Sequence, residues 1–496
     1  MLGLVQPMKN NFAPISKIPS DIFSLIPEYL DDDDEDENLV TMTHVCRGWR
    51  ELLITRPSLW ARLHCENTDR TRVYIERSKS APLKLSLYRR GAANYIEDAF
   101  LLAVPHLSRL KSLIALGPPD VLQNITPHIS RPLPLLTKLT IKLTYGPPPV
   151  LNSALFNGDL SSLRLLSLTG VVTHLPWRNM SKLTTFVLCN VPEDKISITQ
   201  LLDFFEDAHH LRDITLRYSI PTSSDAPPGR VVSLSCLKNL TIRADSILSD
   251  PVHPNLLNHL SIPAGAKLTL VFGFMGGLSP IPPLLPETLE NLGNTPHISS
   301  VNLYFDEINK YVRLHGSSGE VYMLGNCIES CPPSQITDRR IVRSLGYCFD
   351  LRGAQRLAVA QYESETLSEV DESGPYHILS HMKNLRTLTL TRCNNPPFIL
   401  ALDPTQNRSK RVLCPKLEEV ILYVQELDSF NIKELRRMAK ERASAGMTLP
   451  SITIVGLGEL IPREKVAKLR EYIAHVLYKF GEKSPRWDAI PGDEDN

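Results

Sequence analysis

A short pattern, apolar-x-x-apolar-x-apolar, recurs along most of this chain and restricts the folds open to it. Early copies are Leu110/Leu113/Ala115, Leu136/Leu139/Ile141, Leu163/Leu166/Leu168, Leu183/Phe186/Leu188, Leu211/Ile214/Leu216, Leu237/Leu240/Ile242 and Leu257/Leu260/Ile262. Later copies are Ile298/Val301/Leu303, Ala354/Leu357/Val359, Leu385/Leu388/Leu390, Leu417/Val420/Leu422 and Leu449/Ile452/Ile454. The last two apolar positions alternate, which suits a strand with one buried face. The first apolar residue leads into that strand from a turn. A single such unit cannot bury its apolar face, whereas stacked neighbours can. The pattern therefore predicts an α/β chain with a parallel sheet. Its strands would be joined by helical stretches, such as 198–209, or by Pro-rich loops.

Most copies begin 20 to 32 residues after the one before, with two wider gaps of 41 and 56. In spacing the region resembles leucine-rich repeats, although it lacks the Asn of their usual consensus. The resemblance implies an irregular leucine-rich-repeat-like solenoid over 107–485, ahead of a solvated tail at 486–496. Residues 310–324 alternate as a hairpin turning at Gly316-Ser317-Ser318-Gly319. Two amphipathic helices are predicted to close the array as a cap. One carries Ile432, Leu435, Met438 and Ala439; the other carries Val466, Leu469, Ile473, Val476 and Phe480.

The N-terminal part is different. In PISKIPSDIFSLIPEYL, Ser20 can cap a helix, and Ile22, Ile26 and Tyr29 follow at helical spacing. Pro27 lies within that helix and should kink or stop it. Seven adjacent carboxylates, Asp31 to Glu37, then read as a solvated loop. Leu39, Met42, Val45, Cys46, Trp49 and Leu52 return to helical spacing, and Pro57, Leu59 and Trp60 follow. Such short amphipathic helices cannot bury much surface alone, so the module at 14–65 is expected to finish its core against a partner.

This segment resembles the F-box family. The residues that carry the resemblance are Ile18-Pro19, Ile22-Phe23, Ile26, Tyr29-Leu30, Val45-Cys46-Arg47-Gly48-Trp49 and Pro57-Ser58-Leu59-Trp60. The segment 74–87 is also similar to the stretch C-terminal to this box in one branch of the family; it falls in the connecting stretch 66–106. The resemblance implies binding to a Skp-type adaptor and, through it, to a cullin-RING ubiquitin ligase. Pro19, Ile22, Phe23, Ile26, Val45, Cys46 and Trp49 would then lie at or beneath the adaptor surface.

Composition narrows the function classes. Lys+Arg and Asp+Glu both number 54, so no basic face of the kind that grips duplex nucleic acid is expected. Nine Cys stand singly, with no CxxC pair, which reads as reduced thiols in a cytoplasmic or nuclear protein. The uncharged stretch 268–286 contains Pro280, Pro282, Pro283 and Pro286. Clustered Pro cannot sustain a membrane helix, so a buried strand leading into a Pro-rich loop is expected there. No phosphate-binding, zinc-protease or nucleophile-elbow motif occurs. Adjacent His209 and His210 should point apart on a helix. Cys327 and Cys331 lack further ligands for a zinc site.

The expectation is a substrate-recognition subunit of an SCF-type ligase, with no catalytic residues, metal or cofactor and an unknown protein substrate. Two alternatives are a non-ligase binding scaffold with a degenerate box and an uncharacterised enzyme. Residues between and just after the buried strand positions face the open side of the sheet. Among these, Arg217, Arg243, Tyr304 and Tyr423 are the candidate substrate contacts, because Arg and Tyr are enriched at interface hot spots.

Overall fold

The computed structural model describes residues 14–23, 25–29, 35–65, 67–88, 95–129, 132–151, 160–173, 179–191, 196–219, 226–244, 256–274, 289–293, 298–305, 309–316, 320–327, 342–343, 345–346, 349–360, 374–391, 397–406, 410–424, 429–456 and 467–480. They form two compact units: Met1–Lys195 with Asp203–Leu211, and Ile196–Leu202 with Arg212–Asn496.

The first unit opens with short helices. These are a 3₁₀ turn at Pro14–Lys17, α1 (Ser20–Phe23), a second 3₁₀ turn at Ile26–Tyr29, α2 (Glu35–Val45), α3 (Arg47–Ile54) and a third 3₁₀ turn at Pro57–Trp60. The first helix ends before Pro27, as the ring requires. Of the acidic run expected as a loop, Glu35, Asp36 and Glu37 instead begin α2, and residues 31–34 lie outside the described residues. Carboxylates are favourable at a helix N-terminus, where free amides leave partial positive charge.

Besides a separate small pair, Val150–Leu151 and Val172–Thr173, six strands of the main sheet come next among the described residues: β1 (Arg62–His64), β2 (Leu83–Tyr88), β3 (Leu110–Gly117), β4 (Lys138–Leu143), β5 (Leu165–Thr169) and β6 (Thr185–Cys189). Each pairs in parallel with the next in sequence order. Leu63, Leu85, Leu113, Leu139, Leu166 and Phe186 stand opposite one another in register. All six are at most 1% exposed. Leu87, Ala115, Ile141, Leu168 and Leu188 make a second buried row. Each buried Leu stabilises the unit by about 1.5–3 kcal/mol. Helices α4 (Thr68–Ser78), α5 (Tyr95–Ala103) and α6 (Pro119–Ile125) pack on β1, β2 and β3–β4. The apolar rows thus begin at Leu63, well before the pattern was expected to start at 107.

Helix α7 (Ile198–Asp207) falls within the helical stretch predicted at 198–209. Its Phe204 ring lies 4.6 Å from that of Phe186 in the first unit. His209 and His210 follow its end, exposed, with ring centroids 4.3 Å apart. They touch rather than point apart, because the helix has already ended.

The second unit contains β7 (Asp213–Arg217), β8 (Asn239–Ala244), β9 (Lys267–Phe274), β10 (Ile298–Phe305), β11 (Asn309–Gly316), β12 (Glu320–Cys327), β13 (Arg356–Ala360), β14 (Thr387–Thr391), β15 (Glu419–Val424), β16 (Ser451–Gly456) and β17 (His475–Phe480). β7, β8, β9 and β12 pair in parallel. β12, β11 and β10 pair antiparallel, and this pairing contains the expected hairpin. From β10 through β13 to β17 the pairing is parallel again. Helices α8 (Gly374–His381), α9 (Pro397–Leu402) and α10 (Ser429–Ser444) pack in succession. In α10, Ile432, Leu435, Met438 and Ala439 are buried, as their spacing predicted.

Two expectations fail here. The copy Leu257/Leu260/Ile262 does not join the main sheet. Leu260 and Ser261 pair with Val232 and Ser233 in a separate two-stranded sheet, and β8 pairs instead with β9. The expected closing helix at 466–480 is a 3₁₀ turn, Lys468–Glu471, followed by strand β17. Val476 and Tyr478 stand opposite Ile452 and Ile454 of β16. Ile473/Val476/Tyr478 is one more copy of the strand pattern, and sheet pairing prevails over the helical spacing of the same residues. The stretch 268–286 begins as the expected strand, β9; residues 275–288 and Cys331 lie outside the described residues. No helix among the described residues is long and apolar enough to cross a membrane.

Candidate docking site

The helical module is held together by its aromatic residues. The amide of Phe23 donates to the Pro19 carbonyl at 2.8 Å, closing α1. The Phe23 side chain is buried, and its ring lies 4.5 Å from that of Trp49, tilted by 56°. This contact ties α1 to α3. Cys46 is extended, at φ −157 and ψ 168, and breaks the helical run between α2 and α3. Its Sγ accepts from the Trp49 amide at 3.5 Å, capping α3. Arg50 Nε donates to the Thr43 carbonyl at 2.9 Å, satisfying a carbonyl at the end of α2.

Trp60 does a different job. It is 1% exposed, and its Nε1–H donates to the Leu53 carbonyl at 2.9 Å. Tyr74 meets it edge-on at 5.0 Å, and the Arg77 guanidinium lies 4.3 Å from the centre of its ring. Trp60 therefore fastens the end of α3 to α4. Cys65, buried just after β1, has its thiol pushed up to about 12 by burial.

Among polar and charged side chains such as His44, Arg47 and Glu51, the described residues of the module leave four large apolar ones outside. Ile22 is 52% and Val45 55% exposed, and Ile15 and Leu25 are exposed as well. Residues 15–66 match the F-box-like family model. This segment is an F-box-like domain. A search of curated proteins finds no match to the chain.

The predicted adaptor-facing residues of the F-box-like domain fall into two groups. Pro19, Ile22 and Val45 are exposed, while Ile26, Cys46 and Trp49 are half-buried and Phe23 is buried. Phe23, Cys46 and Trp49 hold the domain together. Ile22 and Val45 are the large apolar side chains of the set that a partner can cover. Ile15 and Leu25 belong with them and were not singled out from the sequence. Their apolar character was visible, but outward orientation in such short helices was not.

The four candidate substrate contacts sit on the second unit, each half-buried. Arg217 and Arg243 stand opposite each other on β7 and β8. The Arg243 guanidinium lies 5.6 Å from the Tyr218 ring centre, and the Tyr218 amide donates to the Arg243 carbonyl at 2.8 Å. Tyr304 is on β10, with β9, β12 and β11 between it and β8. Tyr423 is on β15, with β13 and β14 between it and β10. The fold brings the two Arg together and keeps the two Tyr apart. Among the described residues no group of three His, Cys, Asp or Glu could hold a metal ion.

Proposed function

We propose that this chain is the substrate-recognition subunit of an SCF-type cullin-RING ubiquitin ligase. The observation that carries this reading is the F-box-like domain with Ile22 and Val45 left exposed. Exposed apolar side chains that gather into one patch mark protein–protein contact sites. Ile22 and Val45 would meet a Skp-type adaptor, with Pro19 and Ile26 beside them, while Phe23, Cys46 and Trp49 set their positions.

Each sheet-bearing unit would be a leucine-rich-repeat-like stack of strands, and this region would hold a protein substrate. The buried, in-register apolar rows support that reading. Arg217 and Arg243 would receive an acidic or phosphorylated segment through charge-assisted hydrogen bonds. The chain would need no catalytic residue of its own, because holding substrate and linked enzymes together raises their effective concentration. It would work in the cytoplasm or nucleus.

Affinity capture tests the proposal. The full chain should recover a Skp-type adaptor and a cullin, and a chain lacking 14–65 should recover neither. Recovery of both by the truncated chain would overturn it.

A further inference from the structure

Two shallow grooves meet on the first unit, at the N-terminal ends of its strands. One, of about 330 Å³, is lined by Lys111, Arg164 and Lys182 together with Pro82, Pro134 and Leu135. The other, of about 260 Å³, shares Pro82 and Lys111 and adds Arg62 and Lys84. Among the described residues no carboxylate lines either groove. In a chain whose 54 basic and 54 acidic residues balance, Lys111, Arg164 and Lys182 gather three positive charges along the first groove.

The backbone spaces these cations. The Thr137 amide donates to the Lys111 carbonyl, Arg164 to Thr137, and Thr184 to Arg164, at 2.8, 2.8 and 2.9 Å. One residue per strand thus lies in a row. Neighbouring strands are about 4.8 Å apart, so Lys111 and Arg164 start roughly 10 Å apart. An extended peptide advances about 3.3 Å per residue with alternate side chains on one face, so carboxylates two or four residues apart, at about 7 or 13 Å, bracket that interval within the reach of long Lys and Arg side chains. Pro82, Pro134 and Leu135, the last 47% exposed, offer apolar contact between the charges. Among the described residues no aromatic ring lines either groove. Stacking platforms for bases are therefore missing there, which favours a peptide over a single-stranded nucleic acid.

We propose that this groove pair docks an extended acidic peptide segment, its carboxylates on Lys111, Arg164 and Lys182 and its apolar side chains on Pro82, Pro134 and Leu135. The surface lies apart in sequence from the Arg217–Arg243 pair and deepens the substrate half of the ligase reading. As a docking surface it does not depend on that reading.

The test overlays the full chain on immobilised short peptides graded in Glu content against a Pro/Leu/Ser background. Retention should rise with Glu, fall when Gln replaces Glu, and weaken with salt, since exposed charges are screened within about 10 Å at 0.1 M. A Lys111→Gln/Arg164→Gln/Lys182→Gln chain should bind about tenfold more weakly, and Arg164→Gln alone about threefold. Adaptor binding, measured on the same proteins, should be unchanged. Peptide retention without adaptor binding in any of the proteins would leave this docking surface standing and remove the ligase reading. Retention that ignores Glu content, or equals that of the triple variant, would overturn the inference. So would a thymidine oligonucleotide held through the same three side chains when acidic peptides are not.

Discussion

The rings of Phe23 and Trp49 pack 4.5 Å apart and fasten α1 of the F-box-like domain to α3. Trp49 is half-buried, so its main role is to support the surface rather than to form it. Trp49→Ala should destabilise the domain by about 2–3 kcal/mol. Hydrogen exchange over 14–54 should quicken, with little change from 356 onward, since separate units open independently.

Arg442 is fully buried in α10 and donates to the carbonyls of Leu413 and Cys414 at 2.7 and 3.0 Å. Burial lowers its pKa from the usual value, yet an Arg remains charged at neutral pH. Arg442→Ala would strip the Leu413 carbonyl of this donor and leave the Cys414 carbonyl only the Leu417 amide, at 3.1 Å, and should cost about 3 kcal/mol. Arg442→Lys should restore less than half of that, because an ammonium lacks the planar fork. Urea unfolding monitored at 410–424 reads both.

Thiol chemistry should separate the cysteines. Cys65 and Cys414 are buried, and burial pushes both thiols up to about 12. The thiolate is the nucleophile, so both should resist alkylation at about pH 8 while exposed Cys236 reacts first. Unfolded thiols titrate near ~8.5. Their contribution to stability is therefore full below that pH and lost as pH rises towards about 12. Mass-resolved alkylation of the native chain checks the first point, and alkaline unfolding checks the second.

Much of this was legible in the sequence. The pattern Leu-x-x-Leu-x-Leu placed Leu139, Leu166, Leu357 and Leu388 correctly, because alternation across a half-buried strand leaves a mark every second residue. The 3₁₀ turn and strand at 468–480 were not legible as such, since Leu469, Ile473, Val476 and Phe480 satisfy helical spacing equally well. Only pairing with β16 decides between them. β1 was hidden by brevity, as Leu63 sits in a three-residue strand, and β2 by Pro82, which stands where its copy would carry the first apolar residue before Leu85 and Leu87. In the docking site, the identities of Ile22 and Val45 were readable but not their exposure. That depends on how α1 meets α3, through Phe23 and Trp49, and on the break at Cys46 that ends α2 at Val45. The cations at 111 and 164 follow the first apolar residue of their pattern copies, a signal visible in sequence once the strands are aligned.

Strand β17 pairs with β16 and covers its backbone. A chain ending at residue 474 would bare the amides and carbonyls of Ile452 and Ile454. Bare edges template pairing with other chains. Light scattering should show self-association of the truncated chain and none of the full one.

The most direct test of the docking claim is calorimetric titration of the full chain with a purified Skp-type adaptor, set beside an Ile22→Asp/Val45→Asp chain. Both side chains are more than half exposed, so the variant should unfold at the same temperature as the parent. Covered apolar anchors cost about 2 kcal/mol or more when lost, so its affinity should fall by well over tenfold. An adaptor that binds neither chain, or binds both equally, would contradict the account.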